Sequence, residues 1–402
     1  MIKSSRGKLI ALMSGALVAV AVPVAVTAPT GRSVQTRAEH TALPAEPAVK
    51  AMLDGLVHDK TATAALIRVT DRVGGWTAAS GVTDLASGRP ADPNGHLRIG
   101  SVTKTFVATV LLQLCDEGRL RLDDPVERHL PGVVPNGEHI TVRQVLGHTS
   151  GLHDYMSEPG YSTNRWRGDA RFRSYSPRQL LKVAFAEPPN FPPGEGWRYS
   201  NTNYVVAGLL IEKLTGRPYG VEITRRILRP LHLTQTSVPG NRSGLPHPYA
   251  HGYEALTDGR VVDATRMNPS LDWAAGEMIS TTRDLDRFFD ALLGGRLIRA
   301  ASLAAMRAVR DTGAGFDYGL GLQKYTLPCG STVWGHSGEL IGYLTFAFRA
   351  DDGRRMTLSL DPYTKKPGTQ QIFSIASAVF CAKRIAAQDD RAAEKHTETE
   401  ER

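Results

Sequence analysis

The segment Leu97-Arg-Ile-Gly-Ser-Val-Thr-Lys-Thr-Phe106 places a serine and a lysine three residues apart where a helix is expected to begin. Apolar residues follow at helical spacing as far as Gly118, and this pattern predicts a helix over 101–117. Residues three apart share a helical face, so the Lys104 amine can reach the Ser101 hydroxyl. A neutral lysine would take the hydroxyl proton and make the serine a nucleophile, whereas the alternative is a serine that only caps the helix.

A second motif, Tyr199-Ser-Asn201, follows a loop rich in proline and glycine and leads into an apolar helix predicted over 204–214. A phenol at this place can transfer protons, and the asparagine amide can bind a substrate carbonyl. The alternative interpretation is that Ser200 or Asn201 caps the helix.

A third motif, Trp334-Gly-His-Ser-Gly338, lies at the end of a predicted strand. Its two glycines allow another molecule to approach the backbone, and a strand edge offers N–H groups to a substrate or an oxyanion. The alternative is a turn that carries a surface histidine, His336.

Together the three motifs, in the order S-x-x-K, Y-x-N and H-S-G, resemble the variant pattern of the penicillin-recognising serine hydrolases. Ser101, Tyr199 and His336 are 98 and 137 residues apart. From about residue 48 to 383 the chain is similar to secreted serine D-alanyl-D-alanine carboxypeptidases, which are relatives of class C β-lactamases and certain esterases. The similarity extends to three further segments, Leu111–Gly118, Ile140–Leu152 and Tyr199–Gly216.

The resemblance implies a role for each motif residue. Ser101 would be acylated, and Lys104 and Tyr199 would share proton transfer, with the identity of the base left open. His336 would orient Tyr199, and the backbone N–H groups of Ser101 and Glu339 would form the oxyanion hole. Trp273 would wall the cleft, although plain core packing is an equal alternative. The resemblance thus implies six substrate-binding residues: Asn201, Trp273, Gln323, Ser337, Gly338 and Glu339.

Two positions depart from the pattern of the carboxypeptidases. Those relatives clamp the terminal carboxylate of the substrate with an arginine and a threonine, where this chain has Gln323 and Glu339. Glutamate repels a carboxylate, glutamine cannot form the bidentate charged pair, and strand alternation points Lys324 to the other face. An ester, a neutral amide or a β-lactam therefore becomes a credible substrate, unless an arginine of 165–173 supplies the clamp.

Strand-like segments lie near both ends of the chain, at 64–79 and 318–361, with mostly helical segments between them. This order predicts an α+β fold in which an antiparallel β-sheet is flanked by helices. We expect a sheet domain from 45–138 and 280–383, and an all-α insertion domain over 139–279.

The composition is that of a globular protein: 402 residues, 41% hydrophobic and 22% charged. It excludes a wholly disordered chain, a coiled coil and a collagen-like fibre. The net charge is +8, which favours attraction to an anionic surface or polymer. Acidic residues are interspersed among the basic ones, which makes nucleic acid the less favoured partner. An aromatic and arginine-rich stretch over 161–173 is expected to be a loop near the cleft.

The two ends of the chain differ in composition from the part between them. A basic start followed by an apolar stretch predicts a signal peptide over 1–28, with an uncertain cleavage site, and a secreted or cell-envelope location. A single membrane anchor is the alternative. No later segment is apolar enough to span a membrane, and 384–402 is expected to be a disordered tail.

Three cysteines are too few for a disulfide scaffold. In the relatives, cysteines in the contexts of Cys329 and Cys381 are paired, which implies a disulfide here and leaves Cys115 as a buried thiol. Such a bond would close a 52-residue loop and stabilise the fold by about 4 kcal/mol on a chain-entropy model. His148, His153 and Asp154 lie close together but lack metal-site spacing, so we expect neither a metal nor a cofactor.

These features predict a secreted active-site serine hydrolase that forms an acyl-enzyme. The resemblance implies a D-alanyl-D-alanine carboxypeptidase that acts on peptidoglycan peptides and is acylated by β-lactams. An esterase or amidase on the same scaffold is the first alternative. A penicillin-binding protein that is acylated without turnover is the second.

Overall fold

The computed structural model describes residues 46–382. The predicted signal peptide, 1–28, and the predicted tail, 384–402, lie outside them. The strands are β1 Ala62–Thr70, β2 Gly75–Gly81, β3 Leu97–Arg98, β4 Tyr253–Ala255, β5 Val261–Asp263, β6 Ile279–Ser280, β7 Arg310–Asp311, β8 Asp317–Tyr318, β9 Gln323–Thr326, β10 Thr332–Leu340, β11 Tyr343–Ala350 and β12 Arg355–Pro362. The α-helices are α1 Glu46–His58, α2 Thr103–Asp116, α3 Val126–His129, α4 Val142–Leu146, α5 Pro177–Ala184, α6 Asn201–Thr215, α7 Tyr219–Ile223, α8 Thr282–Leu293, α9 Ala300–Arg307 and α10 Thr369–Phe380.

One antiparallel sheet of eight strands dominates the fold, in the order β2-β1-β12-β11-β10-β9-β8-β7. The first strands of the described chain pair with the last ones, so that Ile67 of β1 lies opposite Leu358 of β12. This pairing of both chain ends confirms the α+β fold class with an antiparallel sheet and flanking helices.

The two faces of the sheet are covered by different helices. Side chains alternate along β11, so Phe346 and Phe348 face α1 and α10, whereas Ala347 faces the core that contains α2 and α8. The sheet therefore separates a core under the terminal helices from a larger core that continues into the helices between β2 and β7.

α2 lies in the middle of the larger core and is buried on nearly every side. The sequence predicted one helix over 101–117, and the structure has a 3₁₀ turn over Gly100–Val102 followed by α2. Ser101 lies in that turn rather than at a capping position of α2. The tight turn projects its hydroxyl over the first turn of the buried helix.

Two segments differ from the sequence prediction. The strand-like segment that begins at residue 318 is broken between β8 and β9, where Gly321 has φ +70° and a Cβ would meet Ala108 of α2 and the Tyr204 hydroxyl. The segment 139–279, expected to be all helical, also contains the β4–β5 hairpin. The domain boundaries themselves remain a prediction.

The cysteines are arranged as the resemblance implied. Cys329, after β9, is joined by a disulfide to Cys381, which follows α10. Cys115 is the free thiol of the described chain, but it is partly buried and not fully buried as expected. Its partial burial raises its pKa to about 12. Between residues 46 and 382, no helix combines the length and apolar character needed to cross a bilayer.

Candidate active site

The Lys104 amine and the Ser101 hydroxyl are brought together by the first turn of α2. Lys104 is completely buried, and its Nζ lies 2.9 Å from Ser101 Oγ. The same nitrogen is 2.8 Å from Asn201 Oδ1 and 2.7 Å from the carbonyl oxygen of Ala275. Three separate segments of the chain therefore converge on one lysine nitrogen.

Burial lowers the pKa of Lys104 to about 7, against the weaker opposing effect of Asp154 and Asp272. A neutral amine has two N–H donors and one lone pair. Asn201 Oδ1 and the Ala275 carbonyl can only accept hydrogen bonds, so they take the two N–H groups. The lone pair is then left facing Ser101 Oγ, which is the geometry a general base requires.

Asn201 is held in place by a residue that the sequence analysis did not assign to the site. Its backbone N–H donates to Asp154 Oδ1 at 3.1 Å, and its Nδ2 donates to Asp154 Oδ2 at 3.0 Å. The predicted capping alternative does not describe this site, because Ser200 makes no side-chain cap to α6 and donates to the His153 carbonyl. The remaining Nδ2 hydrogen of Asn201 is available to a substrate carbonyl.

The Tyr199 phenol faces Ser101 and stays protonated. Burial raises its pKa well above the usual value, and its hydroxyl has no hydrogen-bond partner in the described chain that meets normal geometry. Its ring stacks on His148 with centroids 4.3 Å apart, and Lys104 Nζ lies 4.8 Å from its centroid. A neutral phenol so placed is a proton donor to a group bound at the serine.

His336 forms no hydrogen bond with Tyr199, which the resemblance had implied it orients. Instead its Nε2 is 2.9 Å from the Tyr318 hydroxyl, and that hydroxyl is 3.2 Å from His148 Nε2. Because the Ser200 backbone N–H donates to His148 Nδ1, the proton of that ring must be on Nε2.

The direction of each hydrogen bond in the series from His148 through Tyr318 to His336 follows from that one backbone donor. His148 Nε2–H donates to Tyr318, Tyr318 donates to His336 Nε2, and His336 Nδ1–H donates to the Ser337 carbonyl at 2.5 Å. Burial lowers the pKa of both histidines, that of His336 to about 3, so both rings are neutral. His336 is therefore linked to Tyr199 indirectly. It is hydrogen-bonded to Tyr318, Tyr318 is hydrogen-bonded to His148, and the His148 ring stacks on Tyr199.

Replacing Tyr318 with phenylalanine is expected to lower kcat by roughly 10- to 100-fold with little change in KM, because Tyr199 loses its positioning. Two buried histidine nitrogens lose their partner, which costs about 1–3 kcal/mol of stability for each. Steady-state kinetics and thermal unfolding measure both effects. Tyr343→Phe removes another buried hydroxyl, which donates to the Ala250 carbonyl, and should lower stability alone. Equal loss of kcat in both variants would contradict the assignment.

The two backbone amides expected to form the oxyanion hole lie next to each other. A Cβ on Gly100, whose φ is +48°, would lie 2.7 Å from the Glu339 nitrogen. A Cβ on Gly338 would lie 3.0 Å from the Ser101 nitrogen and 1.9 Å from the Ile99 carbonyl oxygen. These close approaches need glycine and bring the end of β10 against the nucleophile turn.

The cleft above Ser101 has a volume of about 580 Å³, and Ser337, Gly338, Glu339 and Gln323 line it as expected. Among residues 46–382, those that line it include three acids, Asp154, Asp272 and Glu339, and no lysine or arginine. The arginines of 165–173, considered as a possible carboxylate clamp, are not in this lining.

The specificity residues have partners within the protein. The buried Gln323 accepts a hydrogen bond from the Ser337 backbone N–H at 2.8 Å. Glu339 forms an ion pair with Lys366, which follows β12. Lys324 pairs with Asp317 on the opposite face of β9, as strand alternation predicted.

Asp272 brings a buried carboxylate with a free oxygen to the cleft. Its Oδ1 accepts a hydrogen bond from Thr163 at 2.8 Å, whereas its Oδ2 has no partner in the described chain. Burial raises its pKa to about 6, so the carboxyl is mostly ionised at neutral pH. A buried acceptor of this kind suits a cationic or N–H group of a ligand.

The structure does not place Trp273 in the cleft. Its ring packs on Tyr219, with centroids 4.8 Å apart, and against Gly208 of α6. It lines a separate cavity of about 640 Å³ together with Glu277. The backbone after Asp272 turns the indole away from Ser101, so Trp273 contacts the site through its neighbours in sequence.

Four side chains of the site were missed as site residues from the sequence. Two of them had a usable signal, since His148 lies within the Ile140–Leu152 segment that carries the resemblance and Asp154 lies two residues after it. The other two lie outside the three motifs, although Asp272 directly precedes Trp273, which the resemblance had assigned to the cleft. The four are His148, Asp154, Asp272 and Tyr318.

Comparison with known proteins agrees with this geometry. The family model described as Beta-lactamase matches residues 49–394. Penicillin-binding protein 4* of Bacillus subtilis is 32% identical over 295 residues, which are 70% of this chain and 63% of that protein. The chain thus spans less than two thirds of the length of this curated relative.

Two solved structures resemble the chain over nearly their full length. A D-stereospecific amidohydrolase from Streptomyces sp. is 40% identical with a TM-score of 0.78, covering 84% of this chain and 99% of that one. The D-amino acid amidase of Ochrobactrum anthropi SV3, complexed with L-phenylalanine amide, is 27% identical with a TM-score of 0.74 and coverages of 83% and 98%.

Proposed function

Because the chain belongs to the Beta-lactamase family of serine hydrolases, we propose that it hydrolyses amides and esters of D-amino acids through an acyl-enzyme on Ser101. The substrate would thus be a small aminoacyl amide or ester whose leaving group is neutral and carries no free carboxylate.

The observation that carries this proposal is the charge around Ser101. Three acids and no lysine or arginine of the described chain line the cleft. A free carboxylate on the leaving group would lack a cation to pair with and would face Glu339. An α-ammonium group, in contrast, would find an acceptor without a partner in Asp272 Oδ2, and Asp272 lines the same cleft as Ser101 and Asn201.

The named neighbours support an amide substrate with D configuration. The Streptomyces protein is described as a D-stereospecific amidohydrolase and the Ochrobactrum protein as a D-amino acid amidase. Both align with more than four fifths of this chain. The activity of this chain is inferred from that likeness together with the cleft.

The proposed reaction uses Lys104 as the base and Tyr199 as the acid. Lys104 takes the Ser101 proton as Oγ bonds to the substrate carbonyl carbon, and the backbone N–H groups of Ser101 and Glu339 hold the oxyanion. The C–N bond then breaks while Tyr199 protonates the leaving nitrogen and regains a proton from Lys104. Water attacks the acyl-enzyme by the reverse proton route and releases the D-amino acid.

A D-alanyl-D-alanine carboxypeptidase is the second candidate. The curated relative is named as a penicillin-binding protein, and Lys366 stands at the cleft rim beside Glu339. Freed from that ion pair, Lys366 would attract a terminal carboxylate. Acting on peptidoglycan peptides would also fit export by the predicted signal peptide, 1–28, and we propose a secreted or cell-envelope location.

A D-aminoacyl amide should be hydrolysed faster by the unmodified enzyme than a peptide ending in a free D-alanine carboxylate. Glu339→Gln removes the repelling charge and frees Lys366, so the rate on the free acid relative to its amide should rise ten-fold or more. That change corresponds to about 1.4 kcal/mol, within the value of one charged hydrogen bond. Paired kcat/KM values for the two peptides measure it.

Glu254 provides a matched control, because it lies near Lys366 and Glu339 but does not line the cleft. Glu254→Gln should leave the ratio unchanged. A clear preference of the unmodified enzyme for the free acid would overturn the proposal and favour the carboxypeptidase.

A further inference from the structure

An apolar cavity of about 250 Å³ lies between the sheet and α10. Its wall is built from side chains of β9 to β12 on one side and of α10 on the other. The apolar part of its lining includes Leu327, Val333, Phe348, Met356, Ile372 and Phe380. Such a lining excludes ordered water, which needs polar partners, and accepts an apolar group.

The cavity adjoins the catalytic cleft and shares three lining residues with it. Glu339, Leu344 and Phe346 line both spaces. The strand register explains this, because Glu339 lies opposite Leu344 and Ser337 opposite Phe346, so these side chains share one face of the sheet. The Glu339–Lys366 ion pair stands at the rim between the cleft and the cavity.

We propose that this cavity is a subsite for an apolar substituent on the leaving group of the substrate. The inference rests on the proposed function, in which Asn201 and Asp272 hold the acyl part on one side of Ser101. What leaves must then extend to the other side, along β10. There it meets Phe346 and the mouth of the cavity.

The volume sets the size of the group. An apolar cavity of roughly 150 Å³ in a protein holds benzene, so 250 Å³ accommodates a phenyl ring with its methylene or a branched alkyl chain. The preferred substrate class is therefore a D-aminoacyl amide or ester whose amine or alcohol carries a benzyl-sized group. The amide joining the two parts lies beside polar Glu339 and Lys366.

The kinetic test compares D-alanyl benzylamide with D-alanyl methylamide. In the unmodified enzyme kcat/KM should be at least about 10-fold higher for the benzylamide, the scale of an apolar pocket that gains one or more methylene-sized groups. Ala376 of α10 lines the cavity, so Ala376→Leu fills it and should abolish that advantage while the methylamide rate is kept. Ala378→Leu adds the same atoms to the same helix outside the lining and should preserve the advantage.

A binding measurement works without turnover. Fluorobenzene followed by ¹⁹F NMR should bind saturably to the unmodified protein and to Ala378→Leu, and should not bind to Ala376→Leu. Absence of saturable binding to the unmodified protein would overturn the cavity as a binding site. Turnover of the methylamide with no gain for the benzylamide would overturn the leaving-group subsite and leave the proposed function standing. Failure to hydrolyse either amide would overturn the proposed function, and the substrate subsite with it.

Discussion

Replacing Ser101 with alanine is expected to reduce hydrolysis of D-aminoacyl amides and esters by roughly 10⁴-fold or more, the scale seen when a serine nucleophile is removed. Only this hydroxyl of the described cleft lies within hydrogen-bonding distance of Lys104 Nζ. Without it no acyl-enzyme can form, so the loss appears in kcat and not only in KM. Steady-state rates on an amide and an ester measure it.

The covalent adduct supplies an independent measurement. Incubation of the unmodified enzyme with benzylpenicillin should increase the intact mass by one acyl group, and Ser101→Ala should show no increase. Ser162 also lines the cleft but is not bonded to Lys104, so Ser162→Ala should still be acylated. A stable adduct on Ser101→Ala would refute the nucleophile. Stoichiometric acylation without turnover of any amide or ester would favour the penicillin-binding alternative.

The core of the candidate site was predictable because its chemistry is local. Ser101 and Lys104 are three residues apart on one helical turn, and Tyr199 and Asn201 are two residues apart at the start of α6. Short-range geometry of this kind follows directly from helix spacing. The order of the three motifs then identified which of several local alternatives applied to each.

The surrounding contacts could not be predicted in the same way, because they join distant parts of the chain. Tyr318 lies 170 residues from His148 and 18 from His336, and the hydrogen bonds among them depend on how β8, β9 and β10 assemble in the sheet and on where the segment after α4 packs. The orientation of Trp273 likewise depends on a left-handed backbone, with φ +40°, that no propensity favours for tryptophan.

Most of the fold was predictable from periodicity, and the exceptions have physical causes. α8 is an example of a readable helix, because apolar residues recur with helical period along it and Gly294 ends it. β7 and β8 are two residues long, too short for a period to be read. The register between neighbouring strands could not be read from periodicity either, since it is set by packing against α2 and α10.

The pH profile of kcat/KM is expected to rise between pH 6 and 7 as Lys104 loses its proton and to level off above pH 7, with a further loss below pH 6 as Asp272 is protonated. The pKa of Lys104 is lowered to about 7 by burial, and only the neutral amine has a lone pair for Ser101. Protonation below the pKa therefore removes the active form, and deprotonation above it restores the full rate. His336, with a pKa near 3, stays neutral over this range and does not shape the limb.

Lys104→Ala should lower kcat/KM by about 10²–10⁴-fold and abolish the part of the acidic limb near pH 7, because general base catalysis is lost while the oxyanion hole remains. Lys324 is the matched control, since its amine pairs with Asp317 on the opposite face of β9; Lys324→Ala should keep the limb at pH 7. Circular dichroism would establish that both variants are folded, which matters because Asn201 Oδ1 and the Ala275 carbonyl lose their donor.

A limb that persists unchanged in Lys104→Ala would transfer the role of base to another group. Tyr199 would be its first candidate, and the raised pKa of the buried phenol is the reason we propose Lys104 as the base instead.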